Sequence, residues 1–106
     1  YPFLKSHPQY KIAKQQMRLG GNIVAFEIKG GIEGGRNFLN AIKMCSLSAN
    51  LGDTRTIVTH PASTTHSKLN IEDRLEVGIT DGLIRISVGL EYKKDIINDL
   101  KQALES

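Results

Sequence analysis

The chain has one cysteine, no tryptophan, and no apolar run near the ~18 residues that a membrane-spanning helix needs. A single Cys45 rules out an internal disulfide and fits a reducing cytosol, which places the protein in the cytoplasm as an expectation. Its neighbours Met44, Ser46 and Leu47 make it a buried structural thiol rather than a nucleophile. No basic stretch precedes an apolar one, so no secretory signal is read. No block of one charge sign exists either: 14 Lys and Arg are scattered among 11 Asp and Glu. A net charge of +3 then permits only weak attraction to polyanions, and no aromatic residues are interleaved with a basic patch to stack bases. Neither a nucleic-acid partner nor a membrane is expected.

What is present is one ordinary globular domain. At 106 residues the chain can bury a single core, and its 40% hydrophobic and 24% charged content is typical of one. It opens on Tyr1-Pro2 without an initiator Met, which points to a processed product or a boundary inside a longer protein.

The periodicities predict eight elements. Pro8 suits the first turn of a helix capped by Ser6 or His7, with Ile12, Ala13, Gln16 and Met17 on one stripe and Gly20-Gly21 as its stop. Residues 22–29 alternate as a strand, Val24, Phe26 and Ile28 against Ile23, Ala25 and Glu27. A helix starting near Ile32 to Gly35 and running to about Met44 follows, then short strands at 45–49 and 55–59 around a turn at Asn50-Leu51-Gly52-Asp53. Residues 61–69 form a polar loop. Asn70 caps a short helix ending at Gly78, with Glu72 and Asp73 favourably placed in its first turn. Residues 83–90 are the last strand, Ile84, Ile86, Val88 and Leu90 on one face and Leu83, Arg85, Ser87 and Gly89 on the other. A final helix from Lys93 or Lys94 turns Ile96, Ile97, Leu100 and Leu104 inward. The fold class is α+β: a small, mostly antiparallel four-stranded sheet with helices packed on one face.

Several groups invite a functional reading. Gly30-Gly31-Ile32-Glu33-Gly34-Gly35 resembles a phosphate cradle but lacks the P-loop ending, so a tight turn is preferred. His60 and His66 flank a loop without a convincing third ligand, so no metal site is expected. Ser63, Thr64, Thr65 and Ser67 beside His66 lack a nucleophile elbow, and turn hydrogen bonds explain them. Arg85 is the most telling residue. Flanked by Ile84 and Ile86 in a strand, its guanidinium must reach solvent, an acid such as Glu27 or Glu91, or a ligand carboxylate, which its planar fork matches with two parallel hydrogen bonds.

Residues 49–66, from Ala49-Asn50-Leu51-Gly52-Asp53 to His60-Pro61-Ala62-Ser63-Thr64-Thr65-His66, carry one half of a resemblance. Gly82-Leu83-Ile84-Arg85-Ile86-Ser87-Val88-Gly89-Leu90-Glu91 carries the other. At this separation the two segments resemble the C-terminal domain of the Cys/Met-metabolism family of pyridoxal-phosphate enzymes. Tyr1-Pro2, Ser6-His7-Pro8-Gln9 and Gly20-Gly21 fit the start of that domain. The 60–66 segment looks most like the homoserine sulfhydrylases, and the 6–9 opening leans toward O-succinylhomoserine sulfhydrylase. Family lyases and γ-synthases commonly carry Ser where this chain has Asn50, and Met where it has Thr64.

The resemblance implies a fold-type I C-terminal domain spanning 1–106 that binds the substrate carboxylate, with the large pyridoxal-phosphate-binding domain absent from this chain. By position, Arg85 clamps the α-carboxylate, with Asn50 and Thr65 beside it. No catalytic or cofactor-binding residue is implied within the chain, since Lys5, Lys11, Lys14, Lys29, Lys43 and Lys68 sit at no recognisable cofactor motif. The implied reaction is γ-replacement in methionine biosynthesis, O-succinyl- or O-acetyl-homoserine plus sulfide giving homocysteine. The parent enzyme would be a homotetramer, and this chain alone inactive. Cystathionine γ-synthase and methionine γ-lyase are alternatives within the family. A free-standing amino-acid-binding regulatory module is the alternative outside it, separated by whether a lysine-bearing domain or a start codon precedes Tyr1.

Overall fold

A computed structural model describes residues 1–48, 51–64, 68 and 70–105. The order is α1 (Tyr10–Gln16), β1 (Ile23–Glu27), α2 (Gly31–Ala41), β2 (Ser46–Leu47), β3 (Ile57–Thr59), a 3-10 turn (Pro61–Ser63), α3 (Ile71–Glu76), β4 (Leu83–Ser87) and α4 (Lys93–Leu104). The strands form one sheet in the order β1-β4-β3-β2. β4 lies between β1 and β3 and is antiparallel to both, while β2 runs parallel to β3 at the edge.

Alternation decides which residues face the helices. Val24, Ile86 and Val58 stand side by side across β1, β4 and β3, with Phe26 beside Ile84. They pack on Phe38, Leu39, Ala41 and Ile42 around α2, and on Leu100 and Ala103 of α4. Ile84 and Val58 are fully buried there, and Phe26 meets Phe38 edge to face at 5.9 Å. The α+β architecture is thus the expected one, with α2 and α4 covering one face.

The elements end earlier than hydrophobicity alone predicts, because side-chain acceptors capture backbone groups. α2 stops at Ala41 rather than Met44: the N–H groups of Lys43, Met44 and Cys45 turn to the carboxylate of Asp99, each at 2.8 Å. β4 stops at Ser87 because Gly89 N–H goes to Thr56 Oγ1 at 2.9 Å and Leu90 N–H to Thr54 O at 2.8 Å. α1 buries only Ala13 of its expected stripe, leaving Ile12 and Met17 exposed. Asn70 acts as read, its Oδ1 accepting Asp73 N–H at 2.8 Å. The expected cap of the first helix does not form: α1 starts at Tyr10 rather than Pro8, with Gln9 at its N-cap and no side-chain cap bond, and His7 Nδ1 instead accepts Gln9 N–H at 3.0 Å in the turn ahead of it. In α4, Ile96 is buried, but Ile97 and Leu104 are exposed and the acid Asp99 takes a place on the inward face.

Candidate substrate-carboxylate site

Arg85 sits mid-strand in β4, its neighbours in register being Ala25 of β1 and Thr59 of β3. Ile84 and Ile86 on either side of it are buried under the helices, so the guanidinium leaves from the opposite face, as the sequence predicts. It is half-buried. On that face β1 contributes the exposed Ala25 and Glu27, whereas β3 and the end of β4 contribute the buried Ile57, Thr59 and Ser87. The face is therefore open on the β1 side of Arg85. Of the two acids weighed from sequence, Glu27 accepts the Thr80 hydroxyl at 3.0 Å and Glu91 accepts from Thr56, and Arg85 has an interaction of its own within the chain.

The loop after β3 is tied back to the Arg85 register. Thr64 Oγ1 donates to His60 O at 2.8 Å and lies 3.3 Å from the hydroxyl of Thr59, the cross-strand neighbour of Arg85. Asn50 and Thr65, the other residues assigned to the carboxylate by resemblance, lie outside the described residues. Their chain neighbours Leu51 and Thr64 do not.

His60 is fully buried and structural. Its Nε2 faces the carbonyl of Asp81, so that nitrogen donates, and Nδ1 then accepts the Ser63 hydroxyl at 2.8 Å. Both ring nitrogens are used, which suits neither metal binding nor proton transfer at a surface. The polar cluster around it was not readable from spacing. Arg74, also buried, donates to Asp81 Oδ1 at 2.8 Å and to Ala62 O at 3.2 Å, so Asp81 joins His60 to α3. The second glycine pair, in the first turns of α2, is explained by close approach. A Cβ at Gly34 would overlap the Lys29 carbonyl, and one at Gly35 would overlap the His60 ring. Those glycines pack the helix rather than cradle a phosphate.

Three carboxylates are held ionised. Asp53 is kept well below the usual range by the side chain and N–H of Arg55, with a 3.0 Å ion pair. Burial alone would raise Glu91, but the N–H and hydroxyl of Thr56 outweigh it and the net shift is downward. Asp99 follows the same logic, burial opposed and overcome by the N–H groups of Cys45, Lys43 and Met44. Beside it, burial first and the Asp99 carboxylate second push the Cys45 thiol up to about 12. That thiol is no nucleophile, as its apolar neighbours imply. Past the end of β4 an apolar groove of 850 Å³ is lined by Tyr1, Leu4, Val24, Val88 and Leu90.

Among known proteins the chain has close relatives along its whole length. It is 56% identical over 105 residues to the L-methionine gamma-lyase of Fusobacterium nucleatum subsp. nucleatum, a match covering 99% of this chain and 27% of that protein. It is 52% identical over 106 residues to the L-methionine gamma-lyase of Porphyromonas gingivalis, covering 100% of this chain and 27% of the relative. Identity to the O-succinylhomoserine sulfhydrylase of Pseudomonas aeruginosa is 44% over 104 residues, covering 98% and 26%. The crystal structure of a protein from Campylobacter jejuni, assigned as an O-acetylhomoserine (thiol)-lyase and carrying a pyridoxyl-lysine phosphate, superposes with a TM-score of 0.90 at 41% identity. That match covers 100% of this chain and 25% of the other. The chain thus spans about a quarter of the length of these relatives. The family model for the Cys/Met metabolism PLP-dependent enzymes matches residues 1–105, and the chain belongs to that family.

Proposed function

We propose that residues 1–106 are the C-terminal, substrate-carboxylate-binding domain of a pyridoxal-phosphate enzyme that cleaves or exchanges the γ-substituent of an amino acid. The observation that carries this reading is the placement of Arg85, on the sheet face away from the core and beside open strand positions. A guanidinium there offers a carboxylate two parallel hydrogen bonds. Fixing the carboxylate fixes the rotation of the substrate about its α-carbon, and so selects which bond lies ready to break. Asn50 and Thr65 would complete the carboxylate contacts.

Pyridoxal phosphate, where bound, supplies the electron sink for loss of the γ-group. Gly34 and Gly35 are spent on packing. On this reading the lysine and phosphate contacts of the cofactor come from a large domain of the complete enzyme, and residues 1–106 contribute orientation. The complete enzyme would be a cytoplasmic homotetramer.

Two reactions of the family fit. Identities of 52–56% to methionine gamma-lyases favour γ-elimination from methionine. The Ser6-His7-Pro8-Gln9 opening, together with Asn50 and Thr64, favours sulfhydrylation of O-succinylhomoserine or its acetyl analogue. The test is an assay of the complete enzyme with methionine alone and with each acyl-homoserine plus sulfide. Methanethiol and 2-oxobutanoate from methionine support the lyase, and homocysteine from an acyl-homoserine supports the sulfhydrylase. No turnover of any of these would refute both.

A further inference from the structure

Beyond β4 the backbone passes across the strand that leads into β3 at contact distance. Gly89 lies so close to Thr54, Arg55 and Thr56 that a Cβ there would overlap their backbone. Thr56, with no solvent exposure, is the centre of the crossing. Its hydroxyl accepts Gly89 N–H at 2.9 Å and donates to Glu91 Oε1 at 2.7 Å. Its own N–H points at the same carboxylate, 2.8 Å from Oε2 and 3.0 Å from Oε1. Its carbonyl accepts Ser46 N–H at 2.9 Å, which brings in β2.

Both donors belong to one buried residue, and both reach Oε1, so an amide oxygen here could keep them whereas an apolar side chain would leave them unmet. A crossing of this kind closes the sheet whatever the protein does, but its location gives it a second consequence. It joins the far end of the strand that carries Arg85 to the loop between β2 and β3. Gly52 N–H of that loop faces Ser87 Oγ at 3.5 Å, and Ser87 is the next residue after Arg85 on the same face of β4.

We propose that Glu91 is a positioning residue for the amino-acid carboxylate site. Acting through Thr56, it holds the 51–56 loop in register with the Arg85 strand. The inference rests on the reading of Arg85 as the carboxylate clamp. Loss of Glu91 lets loop and strand shift against each other, and a misplacement on the order of 1 Å at a binding group costs up to ~100-fold.

The test uses the complete, cofactor-loaded enzyme with Glu91→Met, Thr56→Val, Thr56→Ser and Arg85→Lys, reading kcat, KM and Tm for each. Glu91→Met, which removes the acceptor at similar size, and Thr56→Val should raise KM for the amino-acid substrate ~10-fold while kcat stays within ~3-fold. Thr56→Ser keeps the hydroxyl and should hold KM within ~2-fold of the parent. Should one of the two disruptive variants not accumulate, the other carries the decision. The proposal is overturned if Glu91→Met or Thr56→Val leaves KM within ~2-fold of the parent, whatever its Tm, while Arg85→Lys raises it. An unchanged KM in Arg85→Lys would instead remove the clamp reading itself.

Discussion

Asp99 Oδ2 accepts the backbone N–H of Cys45 at 2.8 Å across 54 positions of sequence. The same carboxylate takes the N–H groups of Lys43 and Met44, and Gln102 Nε2 at 3.0 Å. An acid on the inward face of α4 thus ends α2 and aims the chain into β2, satisfying donors that would otherwise be orphaned at the turn. Removing it leaves the buried Cys45 N–H without an acceptor and those of Lys43 and Met44 to partial solvation, and charge-assisted bonds of this kind are each worth about 1.5–3 kcal/mol. Asp99→Ala should lower unfolding stability by about 3 kcal/mol in urea titration, and Asp99→Asn by less, because the amide still accepts at one atom.

Acid should act through the same groups. The carboxyls of Asp99 and Glu91 titrate below their ordinary values of 3.8 and 4.5 in the folded protein. A depressed folded value means that the unfolded chain binds the proton more readily. The stabilisation is whole above the ordinary values and is lost as the pH falls through the folded ones. Urea midpoints at neutral pH and at ~pH 3.5 should show the parent approaching Asp99→Asn on the acid side, because the variant lacks that carboxyl. A stability gap that widens toward acid would contradict the assignment.

Cys45 should be unreactive while the protein is folded. With its thiol pushed up to about 12, almost none is thiolate at ~pH 8, and the sulfur is buried as well. A coloured disulfide reagent should therefore label Cys45 fully in denaturant. In buffer it should label at least ~100-fold more slowly, at a rate that follows opening of the fold. Fast labelling in buffer would show that the packing around Asp99 is open.

How much of this was legible from sequence depends on the range of the interaction. The alternation in β4 placed Ile84 and Ile86 inward and Arg85 outward, since period-two hydrophobicity is a local signal. The Asn70 cap is local too, bonded three residues on. The early ends of α2 and β4 were not legible, because they depend on Asp99 and Thr56 reaching residues far away in the chain. Ile97 and Leu104 were expected on the buried face of α4, a place that Asp99 and Ala103 take instead. A helical stripe rotated by one position looks the same to a hydrophobic count, and an acid within it reads as solvent-facing unless its backbone partners are known. In the candidate site, alternation placed Arg85 on the outward face, while its role at a carboxylate came from the resemblance and not from the pattern. Thr56 and Glu91 gave no such signal: a threonine before a strand and an acid after one are commonplace.

The most direct measurement is substrate discrimination across the Arg85 contact. Affinities of the complete enzyme for an unreactive amino acid and for its carboxamide would be compared in the parent and in Arg85→Ala. The parent should prefer the free acid by ~100-fold, and Arg85→Ala should lose nearly all of that preference while binding the carboxamide as the parent does. A preference for the acid that survives Arg85→Ala undiminished would contradict the account.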